Sequence, residues 1–428
     1  MSLRGAVGEQ ITLLYVRLSA GLAVRRRTVV IEASGTASVT IPTVSATRLK
    51  GDDTKVEEGA SLIGEGRVYR PIFRDNQTEI FTYDGGQPGY LSHFIAIDSC
   101  ELWQGMRLRY YIDGEAEPSI DVDLAIAHSI GWFQTAKTNA SECLTRSCTA
   151  RCITGGEPWQ ADLFGKSSMN GIWNDFKIPF SSAVRVTLQL PEDAAVEKAS
   201  LYTNVRGMAG PSLSSGTLAV GDLQLPLASR PRLRVFKYAG QDVAPMTHFD
   251  IFATNRSGVL LLSTLIVSSP TRGFMGSCVR AFVGGNSTRG PNDFDVLLGT
   301  GTEDYFDSAN GWFNLGLDRP YHGSDNGLTH WNHNDGVPSA QVTEQCSGSS
   351  PPGVGMFGPC HLAAYKLHHK DEVRFDATKP LRVTYRNGEP LGSTDTAKRC
   401  AREDSRKQPA RPELSPMNVT SYVWSYQW

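Results

Sequence analysis

The chain has 428 residues, 40% hydrophobic and 20% charged, an ordinary globular balance with room for two or three domains of about 150 residues each. Lys plus Arg at 42 against Asp plus Glu at 44 leaves a formal net charge of −2, which argues against any general electrostatic commitment to nucleic acid or an anionic membrane. No run approaches the ~18 apolar residues of a membrane-spanning helix, so neither nucleic acid nor membrane is expected as a partner.

Residues 1–64 read as an N-terminal extension. Its apolar patch, Ile11–Val16, is interrupted at Glu9 and Arg17, so a signal peptide is not clear. Thr28–Ile41 alternates like a hairpin. Secretion is nonetheless expected from the 8 cysteines and from sequons at Asn76, Asn139, Asn255, Asn286 and Asn418. Residues 65–230 read as strands throughout. Arg107–Ile112 runs into the turn pair Asp113-Gly114, and Val184–Leu188 alternates as a half-buried strand does. Cys143, Cys148 and Cys152 lack the paired spacing of a zinc site, and disulfides are the simpler use for them. Pro226–Pro231 marks the domain boundary.

Residues 231–392 continue with strands at Leu233–Tyr238, Gly258–Val267, Cys278–Val283 and Leu381–Tyr385, the last meeting a hairpin turn at Asn387-Gly388. Cys346 and Cys360 bracket a glycine- and proline-rich stretch and form the first disulfide to expect. Residues 393–428 read as a polar C-terminal tail. Many short strands with close turn signals and almost no helical periodicity give an all-β chain, a sandwich or barrel. No obvious internal sequence repeat is present.

The stretch that concentrates chemistry is Leu297-Leu-Gly-Thr-Gly-Thr-Glu-Asp-Tyr-Phe306. Its glycines allow close backbone approach, Thr302 offers a hydroxyl, Glu303 and Asp304 offer carboxylates, and Tyr305 and Phe306 offer apolar ring faces for a sugar. A phosphate loop is excluded because no Lys follows and no amphipathic helix opens behind it. A calcium loop fails for want of alternating oxygen ligands. Solvated turn charges remain the plain alternative for the acidic pair.

Gly299–Phe306 resembles the signature of a family first catalogued as a domain of unknown function, DUF2961, and now placed with glycoside hydrolase family 172. Phe81–Phe94, Tyr111–Ile120, Trp173–Val186, Ala364–His368 and Leu381–Glu389 are similar to other strands of that family in the same order, so the likeness covers roughly residues 65–392. The resemblance implies two tandem jelly-roll β-sandwiches at 65–230 and 231–392, assembly as homotrimers or larger trimer-based oligomers, and action on fructofuranosides or arabinofuranosides. No cofactor and no metal are expected. His330, His333 and His322 do not alter that, because an HxxH on a glycine-rich loop lacks helical geometry.

A retaining glycosidase needs two carboxyl groups about 5 Å apart. The resemblance makes Glu303 the acid/base and puts the nucleophile in the upstream strand, where Gly273-Phe-Met-Gly-Ser-Cys278 carries Gly276 at that position. Phe274, Thr302, Asp304, Tyr305, Phe306 and His368 are the residues it implies around a substrate, with a structural hydrogen bond the plainer reading of His368. Three accounts fit the glycine: lost catalysis with binding or a coat-like structural role retained, a substitute carboxylate among Asp293, Asp295 and Asp304, or a local sequence error.

Overall fold

The computed structural model describes residues 60–97, 105–130, 133–135, 152–154, 159–167, 171–194, 196–283, 297–299, 301–306, 323–332, 360–388 and 414–428. All lie in one compact unit, Glu57–Trp428. The hairpin expected at Thr28–Ile41 and the Cys346 half of the expected disulfide fall outside the described residues.

The first half contains β1 (Ser61–Phe73), β2 (Thr78–Tyr83), β3 (Gly89–Ile97), β4 (Arg107–Ile112), β5 (Ile120–Asp123), the short helix α1 (Leu124–Ala127), β6 (Phe133–Thr135), β7 (Cys152–Thr154), β8 (Trp159–Gln160), β9 (Phe164–Lys166), β10 (Gly171–Asn174), β11 (Ile178–Phe180), β12 (Val184–Gln189) and β13 (Lys198–Ala209). Its larger sheet has the order β1-β13-β3-β10-β9-β8, with β11 also on β3, and its smaller sheet is β2-β12-β4-β5. A hairpin of β14 (Thr217–Val220) and β15 (Leu223–Pro226) follows.

The second half contains β16 (Arg232–Val243), β17 (His248–Thr254), β18 (Gly258–Ser269), β19 (Val279–Val283), β20 (Leu297–Gly299), α2 (Thr302–Tyr305), β21 (Asn326–Asn332), β22 (Cys360–Leu367), β23 (Arg374–Phe375), β24 (Leu381–Arg386) and β25 (Met417–Gln427). Its sheets are β16-β25-β18-β22-β21 and β17-β24-β19-β20. When the principal strands of each half are counted from one to eight, both halves are wired 1-8-3-6 against 2-7-4-5. That is jelly-roll wiring, so the chain is two tandem jelly-roll sandwiches. The duplication is carried by strand order.

Two expectations need correction. The C-terminal tail contains β25, the eighth strand of the second roll, which lies between β16 and β18 with Met417, Val419 and Tyr422–Tyr426 buried. Its apolar positions stand out, but the polar stretch before them gives no local sign of a sheet to enter. Asn387-Gly388 does not close a hairpin, because β24 pairs with β17 and β19. Gly388 is left-handed at φ 81, but Asn387 is fully buried, its amide donating to the carbonyls of Val243 and Ser415 at 2.8 and 3.1 Å.

The rolls share apolar packing. β18 is buried along its whole length, with Val259 and Leu261 joining the core of the first roll while Leu260, Leu265 and Val267 join that of the second. A strand covered on both faces reads as a continuous apolar run. Across the seam Trp159 stacks on Tyr365 at 5.5 Å, Phe176 meets Trp424 at 5.4 Å, and the Tyr426 hydroxyl donates to the Lys177 carbonyl at 2.7 Å.

Candidate functional site

β20 delivers the chain to Gly301, the extended residue that opens α2. Gly299 allows the return: a Cβ there would lie 3.3 Å from the Tyr305 nitrogen. The upstream strand enters through a 3-10 turn, Arg272–Gly276, which packs against α2. The two segments that carry positions 276 and 303 are therefore neighbours.

A buried polar chain fastens them. The Thr302 hydroxyl lies 2.6 Å from the Tyr385 hydroxyl, and both reach the Phe274 carbonyl, at 3.3 and 3.2 Å. Ser277 caps the same carbonyl through its side chain and, at 3.2 Å, through its amide. On the other side of α2 the Tyr305 hydroxyl donates to Ser263 Oγ at 2.8 Å and lies 3.1 Å from His368 Nε2. Burial, with Lys366 nearby, pushes the His368 imidazole down to about 3, so it is neutral near pH 7.

This geometry corrects the part expected of several residues. Phe274, Thr302, Tyr305, Phe306 and His368 are all buried in the second roll. Tyr305 and Phe306 pack edge to face at 4.9 Å and 85°, so they turn into the core and offer no open platform to a sugar. Aromatic rings suit a core as well as a ligand site, and a sequence does not distinguish the two. Their role is to hold α2 rigidly. Asp304 is exposed, and Gly276 is half-buried at the end of its turn. Glu303 occupies the second position of α2; its side chain lies outside what is described.

The sequence reading missed Tyr385, Ser263 and Ser277, the anchors of this scaffold. Tyr385 lies in the quoted Leu381–Glu389 strand, but nothing in the linear pattern ties it to Thr302. Arg386 was missed as well: fully buried, it donates to the Gly388 carbonyl at 2.8 Å and lies 3.2 Å from the sulfur of Cys278, which is disulfide-bonded.

Among the described residues one group has the donors for a cation: Asp162, Asp325 and His369, with ligand atoms within 4.8 Å of one another. The Lys370 ammonium already supplies the positive charge, 3.0 Å from Asp162 and 2.8 Å from Asp325. His369 Nε2 lies 2.9 Å from Asp325 and 3.4 Å from Asp162. The group is an ionic clasp between the two rolls. His333 and the Cys143–Cys148 segment lie outside the described residues.

No family model and no curated protein matches the chain. Among solved structures it is similar to the infectious bursal disease virus VP2 subviral particle, at 11% identity over 87% of this chain and 81% of that one, with a TM-score of 0.13. The infectious bursal disease virus Gx strain structure matches at 10% identity over 87% and 80%, with a TM-score of 0.11. Likenesses this slight carry no argument about function.

Proposed function

We propose that the chain is a furanoside-binding protein of the family 172 type in which retaining hydrolysis has been lost. The observation that carries this reading is the packing of the Arg272–Gly276 turn against α2: the turn beside the Glu303 segment has Gly276, with no side chain to form a glycosyl-enzyme, at the position the resemblance gives to the nucleophile. Loss of a nucleophile can remove several orders of magnitude in rate while leaving hydroxyl recognition in place. Arabinofuranosides and fructofuranosides are the substrate class, through the resemblance. Homotrimeric assembly rests on the same likeness. Secretion is supported by the 8 cysteines, the sequons and the disulfide at Cys278.

Saturation-transfer NMR with methyl arabinofuranoside and methyl fructofuranoside tests the reading. Binding without turnover by the wild-type protein, weakened in Glu303→Gln, is the expected result. Absence of binding to both sugars overturns it, and so does robust turnover that survives Glu303→Gln.

A further inference from the structure

The large hydrophobic side chains exposed among the described residues, Leu62, Tyr69 and Phe73, all lie on β1, with Tyr69 65% exposed. Strand register places them on one surface. Along β13, Leu201, Val205 and Ala209 turn into the core, so Tyr202, Asn204 and Arg206 turn outward. Pairing across the sheet then builds two rows on the outer face of the first roll. One runs Tyr69–Tyr202–Ile97–Gly171, the next Asn204–Ile95–Trp173–Gly165. Arg206 and His93 open a third row, where His93 Nδ1 lies 2.8 Å from Asp175.

The glycines shape this face. A Cβ on Gly165 would lie 2.9 and 3.0 Å from ring atoms of Trp173, so only glycine leaves the indole room to lie over the strand. Tyr69 and Tyr202 meet edge to face at 5.8 Å and 72°. Between these rings lies unfinished polar chemistry. Asn204 is 8% exposed, yet among the described residues its Oδ1 accepts no hydrogen bond, and Nε of Arg206, two residues along the same strand, donates none. A buried acceptor and a buried donor left open are costly. A hydroxyl answers both, because it donates through its hydrogen and accepts through its lone pairs.

We propose that this outer face is a docking platform for a neutral glycan chain built of pyranose rings. The flat apolar face of a sugar stacks on Trp173 and on the Tyr69–Tyr202 pair, and hydroxyls reach Asn204 and Arg206 once the exposed side chains beside them shift. The open groups are one acceptor, Asn204 Oδ1, and one donor, Arg206 Nε, a pair that fits a hydroxyl-bearing chain better than a polyanion, whose charged oxygens only accept. A second copy of the protein fits less well. A stable self-contact needs about 800 Å² per partner of interlocking side chains, whereas an indole laid over a glycine gives a smooth surface.

Affinity electrophoresis through gels containing mixed-linkage β-glucan, xyloglucan or galactomannan tests the proposal, since these polymers are built of pyranosides and contain no furanoside. Retardation of the wild type in at least one gel is expected, with binding weakened about tenfold or more in Trp173→Ala and in Tyr69→Ala. The exposed position of Tyr69 keeps the second variant folded. Free migration of the wild type in all three gels overturns the proposal, as does retardation unchanged in Tyr69→Ala. A concentration-dependent dimer in sedimentation that Tyr69→Ala abolishes would assign the face to a second copy instead.

Discussion

Asp113 sits at φ 55, in the left-handed region, and its carboxylate holds three segments of chain together. It accepts from the amides of Ser181, Ser182 and Ala183 at 2.8, 2.7 and 3.2 Å and pairs with Arg232, the first residue of β16. Burial alone would raise its pKa, but the amides of Ser182 and Ala183 and the Arg232 guanidinium outweigh burial and hold it below 3.8. A depressed carboxyl contributes stability that is present above the unfolded value and lost as pH falls through the folded one. Asp113→Ala should therefore lower the urea-unfolding free energy by roughly 2 kcal/mol at pH 7, and the charge advantage of wild type over Asp113→Asn should shrink below pH 3.8. A gap between those two proteins that is independent of pH would contradict this. Asp113-Gly114 was legible as a turn because the pair tolerates positive φ, but the four partners of Asp113 were not, since Ser181–Ala183 and Arg232 are far away in sequence. The same limit hid the Thr302–Tyr385 contact and made Tyr305 and Phe306 look available when they are core.

At the scale of elements, strands whose faces differ were legible and those that depend on a distant neighbour were not. The alternation of Val184–Leu188 and the long, mostly apolar run of Gly258–Val267, broken only at Ser263-Thr264, correspond to β12 and β18, one half-covered and one covered on both faces. β25 shows the opposite case. Its apolar positions are plain in Met417–Gln427, but a strand that follows a long polar stretch gives no local sign of a sheet to enter. It pairs with β16 along one edge and β18 along the other. A chain ended after residue 413 should therefore be insoluble or unfold without cooperativity, because β16 loses its place in the sheet, β18 keeps β22 but loses its other edge, and the cores open. A soluble truncated protein with a sharp urea transition would refute the central place given to β25. Trp424→Ala, a milder change at the seam with Phe176, should cost about 3–5 kcal/mol.

Over the whole molecule, the two rolls have one wiring and a common apolar seam, and their stability is coupled accordingly. Leu233, Tyr365, Trp424 and Tyr426 from the second roll belong to the same core as Phe164, Phe176 and Ile178 from the first. Urea unfolding followed by fluorescence and by circular dichroism should give coincident single transitions; two resolved transitions would mean independent domains. The clasp of Asp162, Asp325 and Lys370 adds little, on the order of 1 kcal/mol or less, because Lys370 is solvent-accessible.

The function proposed for this scaffold turns on one missing carboxylate. Gly276→Glu supplies it, and the measurement that tests the account most directly is the hydrolysis of an aryl arabinofuranoside and an aryl fructofuranoside by that variant, with product stereochemistry followed by NMR. The larger side chain can cost about 1 to 3 kcal/mol of stability, so a urea transition measured alongside establishes that the variant is folded. The account predicts hydrolysis with retention in Gly276→Glu, little or none in the wild type, and loss of the gained activity in Gly276→Glu combined with Glu303→Gln. A folded Gly276→Glu protein inert towards both substrates would contradict it.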